Sequence, residues 1–85
     1  ITREEMAYVA VSVLEYKNYM PESVEKAVKF SDDSKISDWA KENVYKASNA
    51  GIVFGNNDEF LPGNSATRAE ATAIIARIYS MLSEG

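Results

Sequence analysis

The sequence predicts a small all-α protein, mainly helical, arranged as helix, loop, helix, tight turn, loop, helix. Three observations predict it. Apolar residues recur at three- and four-residue spacing in three separate stretches. Two of those stretches open on the same string, Thr2-Arg3-Glu4-Glu5 and Thr67-Arg68-Ala69-Glu70, placed 65 residues apart. A glycine, Gly51, stands where the middle stretch would close.

The first helix is read from residue 3 to about 19, with Met6, Val9, Ala10, Val13, Leu14 and Tyr16 as its apolar stripe. Pro21 ends it or opens a short second piece, for which Val24, Ala27 and Val28 give one or two helical turns over 22–29. Phe30 to Ser37 is a polar loop, and Ser37 or Asp38 caps the second long helix. That helix faces the core with Trp39, Ala40, Val44 and Ala47, and Ile36 lies just before it. Gly51 suits the left-handed residue of a Schellman turn, with Ile52 as its apolar contact. Ile52-Val53-Phe54 reads as a stub of strand and Gly55-Asn56-Asn57-Asp58-Glu59 as a turn. Thr67 caps the last helix, whose face is Ile74, Ile75, Ile78, Tyr79 and Leu82.

Thr2 with Glu5, and Thr67 with Glu70, fit the capping box, in which each partner satisfies one orphan N–H of the other's backbone. Capping does not explain Arg3 and Arg68. Both fall at the first helical position, where the helix dipole mildly disfavours a cation. A helix N-terminus is an anion site, and a guanidinium beside it suits a carboxylate or phosphate. The competing reading pairs each Arg with an acidic neighbour between repeats.

Composition narrows the function. The 85 residues suffice for one small domain with a modest core, and 46% of them are apolar. Net charge is −4 and the nine cations are scattered singly, which disfavours nucleic acid. No apolar run approaches the ~18–20 residues of a membrane span. There is no Cys and no His, so disulfides, thiolate sites and the commonest general base are excluded, and no cofactor is expected. No signal peptide is visible, and the chain reads as a piece of something longer. Asp32, Ser34, Ile36 and Asp38 alternate like a calcium loop, but the sixth position is Ser37 rather than Gly and the twelfth is Asn43 rather than Glu. A Glu70 and Asp58 pair for glycoside hydrolysis fails because the capping box already claims Glu70. A DNA-reading helix fails because the last helix carries only Arg68 and Arg77.

Five motifs in order resemble the S-layer homology module: Phe30-Ser31-Asp32, then Trp39-Ala40, then Ala47 to Gly51-Ile52 with Gly55, then Phe60-Leu61-Pro62, then Thr67-Arg68-Ala69-Glu70. Residues 30–85 resemble one complete repeat, 1–20 the closing helix of a preceding one, and 21–29 a linker or short helix. The chain departs from the family where a loop glycine is expected: Glu59 follows Asp58 and the loop is shorter, so the left-handed conformation a Gly would take is in question. The resemblance implies a non-catalytic anchor, part of a pseudo-threefold prism, that tethers an exported protein to the bacterial cell surface. It implies binding to secondary cell-wall polymers attached to peptidoglycan, sugars carrying pyruvate ketals among them, in grooves between repeats. The family's binding Arg maps to Arg68 and to Arg3. Trp39, Asp32 and Gly55 are further glycan candidates, although Trp39 also reads as core and Asp32 as a turn residue. Thr2, Glu5, Thr67, Glu70 and Gly51 read as structural. The alternative function is a self-assembly repeat that packs against protein and binds no glycan. With one and a half repeats, the isolated chain is expected to associate with neighbouring repeats or other copies.

Overall fold

A computed structural model describes residues 1–19 and 29–84. Helix α1 spans Arg3–Tyr16, a 3-10 turn covers Asp33–Lys35, α2 spans Asp38–Asn49 and α3 spans Arg68–Glu84. The short helix expected over 22–29 lies, apart from Lys29, outside the described residues. There is no strand among the described residues, and Ile52-Val53-Phe54 runs as irregular chain.

Both capping boxes form. The Glu5 N–H donates to the Thr2 hydroxyl (3.2 Å) and the Thr2 N–H to the Glu5 carboxylate (2.7 Å). Thr67 and Glu70 repeat the pattern at 2.8 and 3.0 Å. The Schellman turn at the end of α2 forms as expected: Gly51 has φ +74°, its N–H donates to Ser48 O, and the Ile52 N–H donates to Ala47 O. A second one ends α1 at Tyr16, earlier than expected. Asn18 takes φ +55°, its N–H donates to Glu15 O, and the Tyr19 N–H donates to Leu14 O. Asn is the residue after Gly that best tolerates this conformation, so the helix stops before Pro21 is reached.

The core is formed by Ala7, Ala10, Val11 and Leu14 of α1, by Ile36, Ala40, Val44 and Ala47 in and before α2, and by Ile52, Val53, Phe60 and Ile74. The expected stripe of α1 is therefore turned by about one residue: Val9, Val13 and Tyr16 face outward. α1 is apolar on two sides, and periodicity alone does not choose between them. The side with the small residues wins, because Ala7 and Ala10 opposite the alanines of α2 let the two helices approach closely. Trp39 is also not core, at 54% exposed, and its ring meets Tyr8 edge-on with centroids 5.4 Å apart. On α3, Ile74 is buried, but Ile75 and Tyr79 are exposed.

The turn between Gly55 and Phe60 is a two-residue reversal. Asn56 and Glu59 exchange backbone hydrogen bonds at 2.7 and 3.0 Å, with Asn57 (φ 51°) and Asp58 (φ 67°) between them. The left-handed conformations fall on Asn and Asp, which tolerate them, and Glu59 is spared. Gly55 is needed for close approach: a Cβ there would lie 2.6 Å from the Phe30 ring and 2.8 Å from Glu59 O.

Candidate functional site

Where α1, the 53–60 segment and α3 meet, they enclose a groove of about 260 Å³ lined by Arg3, Val53, Phe54, Phe60, Glu70 and Arg77, among others. Its geometry begins with Asp32. This carboxylate is buried and accepts from two consecutive amides, Phe60 N–H and Leu61 N–H, both at 2.9 Å. Burial pushes its pKa up, but those amides and, less strongly, its own N–H and the Lys35 charge outweigh burial and hold it below the usual value. The pin fixes the backbone at Phe60 and holds Leu61 at φ 59°, a conformation a Leu adopts only under constraint.

The pinned loop presents carbonyls to Arg3. The Nε–H of Arg3 donates to Phe60 O (2.7 Å) and Nη2–H to Phe54 O (2.8 Å), while Nη1 pairs with the Glu70 carboxylate. The guanidinium lies over the Phe60 ring with its Cζ 5.0 Å from the centroid. Burial pulls the Arg3 pKa down and the Asp32 charge offsets part of that, yet a guanidinium remains cationic throughout the range in which proteins fold. Arg3 thus occupies the interface position that was the competing reading for it. The repeated motif clasps itself, since the Arg of the first copy pairs with the Glu of the second.

The α1 N-terminus is closed as well. The N–H groups of Arg3 and Glu4 donate to Asn64 O (2.8 Å) and Pro62 O (3.2 Å), and the capping box satisfies those of Thr2 and Glu5. The four backbone N–H groups at that end of α1, those of Thr2 to Glu5, all have acceptors within the chain. The side chain of Arg68, by contrast, is exposed, and it has no hydrogen bond or ion pair among the described residues.

The remaining cation of the groove is Arg77. Its Nη1–H donates to Ile52 O (2.8 Å) and its Cζ lies 4.8 Å from the centroid of the Phe54 ring. Nε and Nη2 have no protein acceptor among the described residues. The groove therefore carries two guanidiniums against one carboxylate, Glu70, and a half-exposed donor edge on Arg77. Arg77 was not among the expected site residues. The repeat gave no signal for it, because the position 65 residues earlier is Ser12.

Of the expected glycan candidates, Arg3 lines this groove, while Asp32 and Gly55 stand behind it and shape the loop. Trp39 lies on a different surface, beside Tyr8 and Val9. Arg68 lies outside the groove.

Residues 29–72 match the family model described as the S-layer homology domain. The chain belongs to the S-layer homology family. Modules of this family in general anchor cell-surface proteins to the cell wall. The S-layer homology chain is 49% identical over 76 residues to an amylopullulanase of Thermoanaerobacterium thermosulfurigenes, a stretch covering 88% of this chain and 4% of that protein. It is 46% identical over 76 residues to the exoglucanase XynX of Acetivibrio thermocellus, covering 88% of this chain and 7% of that protein. It is 34% identical over 79 residues to an endoglucanase of Bacillus sp. (strain KSM-635), covering 92% of this chain and 8% of that protein. The chain spans less than a tenth of the length of these relatives, and what it shares with them is the module, not a catalytic domain. No solved structure gives a significant match.

Proposed function

We propose that this module tethers an exported protein to the bacterial surface by binding an acid-bearing secondary cell-wall polymer in the groove between α1 and α3. The observation that carries the reading is the arginine pair. Arg3 is held by protein carbonyls and Glu70, and Arg77 lines the groove with Nε and Nη2 without a protein acceptor among the described residues. Two fixed cations and the Phe54 and Phe60 rings suit a sugar that carries a carboxylate. At about 260 Å³ the groove is smaller than the ~300–1,000 Å³ of enclosed ligand pockets, which fits a polymer crossing the surface a residue or two at a time.

A second reading has its own observation. All three nitrogens of Arg3 are engaged by the protein, as expected of a packing repeat that binds no glycan. Sedimentation of the chain with peptidoglycan sacculi, carrying or stripped of secondary polymer, separates the two. Binding that needs the polymer, and that Arg77→Gln weakens at least tenfold with little change in Tm, supports the groove. Loss on Arg68→Ala but not on Arg77→Gln moves the contact to the open end of α3. Indifference of a folded chain to polymer and to both variants leaves the packing reading.

A further inference from the structure

The two glutamates of the Thr-Arg-x-Glu strings differ in one contact. Glu5 and Glu70 each give one carboxylate oxygen to the N–H of the capping threonine, at 2.7 and 2.8 Å. Beyond Thr2, Glu5 makes no hydrogen bond or ion pair among the described residues, and it is exposed. Glu70 turns its second oxygen to Nη1 of Arg3, inside the groove. Capping uses one oxygen, and α1 is capped without an ion pair. The negative charge that Glu70 brings into the groove is therefore surplus to its work as a cap.

That charge stands among donors that are not all taken. A guanidinium carries five N–H donors. Among the described residues, Arg3 is engaged by Phe60 O, Phe54 O and Glu70, and Arg77 by Ile52 O. The two carbonyls that hold Arg3 belong to chain leading into and out of the turn, and Asp32 pins the Phe60 end of it. Glu70 is a side chain, 35% exposed. An acid that enters the groove meets two guanidiniums that attract it and one carboxylate that repels it.

Resting on the proposal that the groove seats the acid, we infer that Glu70 sets the charge the groove accepts: it selects a sugar bearing one negative charge, as a carboxylate does, over a sugar bearing two, as a phosphate monoester does. Two cations and one carboxylate leave one net positive charge. Attraction grows in proportion to the charge of the ligand, whereas the Born cost of taking the ligand out of water grows as the square of that charge. With Glu70 present the squared cost weighs most on the dianion. Without it the attraction rises, and the dianion gains twice the free energy that the monoanion gains. The fold gain of the dianion is then the square of that of the monoanion. Glu70→Gln isolates the charge, because Glu and Gln serve the capping box alike.

The test is titration with three sugars of similar size, followed by the amide shifts of the groove residues. They are methyl glucoside, which is neutral, methyl glucuronide, which carries one negative charge, and glucose 6-phosphate, which carries nearly two at about pH 7.5. In the unaltered chain the glucuronide is expected to bind more tightly than either of the others. Glu70→Gln should tighten the glucuronide about fivefold and the phosphate about 25-fold. Ala69→Glu, at an exposed position that lines the groove, adds a carboxylate and should weaken them by about the same two factors. Glu5→Gln alters the matching cap outside the groove and should change neither. Equal gains for the two acids in Glu70→Gln and equal losses in Ala69→Glu, or no change in either, overturn the selection while binding that still needs Arg77 keeps the groove as the site. Acids that bind no better than the glucoside, or that ignore Arg77→Gln, overturn the groove as the site and the selection with it.

Discussion

Asp32 is a carboxylate whose work is on the backbone. Both oxygens accept from consecutive amides, and the fixed loop then supplies the carbonyls that hold Arg3. A hydrogen bond to a charged acceptor is worth about 1.5–3 kcal/mol, and removing the acceptor leaves the Phe60 N–H buried without a partner. Asp32→Ala is expected to cost about 3–4 kcal/mol in urea denaturation, a large part of the ~5–15 kcal/mol typical of a domain. The pH dependence follows from the lowered pKa. The stabilisation is complete above the unfolded-state value of about 3.9 and is lost as pH falls from there through the folded value. Melting profiles at falling pH should therefore show an acid loss below about pH 4 that Asp32→Asn reduces; an equally steep loss in that variant would assign it to other carboxylates. The Phe-x-Asp motif was legible in the sequence, and so was the turn character of Asp32. The partners were not, because Phe60 and Leu61 lie 28 and 29 residues away and no local pattern links them.

At the scale of elements, α1 and α2 are joined by a shared cap. In α1 and α3 the third helical residue is a Glu that reaches back to the N-cap amide, but in α2 that position is Ala40. Glu4, from another helix, takes its place on the Ser37 N–H and hydroxyl. Glu4→Ala should cost about 2–3 kcal/mol. A double-mutant cycle with Ser37→Ala should return a coupling of about 1–2 kcal/mol, and additive losses would show that the two groups act independently. Three long helices, both capping boxes and the Gly51 turn could all be read from local spacing. The face of α1 could not. Its two apolar stripes are equally periodic, and the choice is made by Ala7 and Ala10 meeting α2, a tertiary matter. The same blindness placed Trp39, Ile75 and Tyr79 in the core. Each sits at an apolar helical position, and nothing local tells a face that packs within the chain from one left open to solvent.

For the whole molecule, the folding unit and the family unit differ. The family match covers residues 29–72, but the core needs α1, which lies outside it. Ala7, Ala10, Val11 and Leu14 are buried against Ala40, Val44 and Ala47, and Arg3 and Glu4 fasten the loops. Full burial of Val11 and Leu14 alone is worth about 1.5–3 kcal/mol each, and the Arg3 and Glu4 contacts add to that. Together they approach the ~5–15 kcal/mol that stabilises a domain. A polypeptide of residues 20–85 should therefore lose its cooperative melt and show little protected amide exchange, and adding a peptide of residues 1–19 should restore both in a concentration-dependent way. Retention of a sharp thermal transition by residues 20–85 alone would mean that α3 and the loops make a sufficient core. The expected dependence makes the module a unit offset from its repeat. In this chain the body is completed by the helix that begins with the first Thr-Arg-x-Glu string, and the groove with its two arginines exists only where that helix has docked.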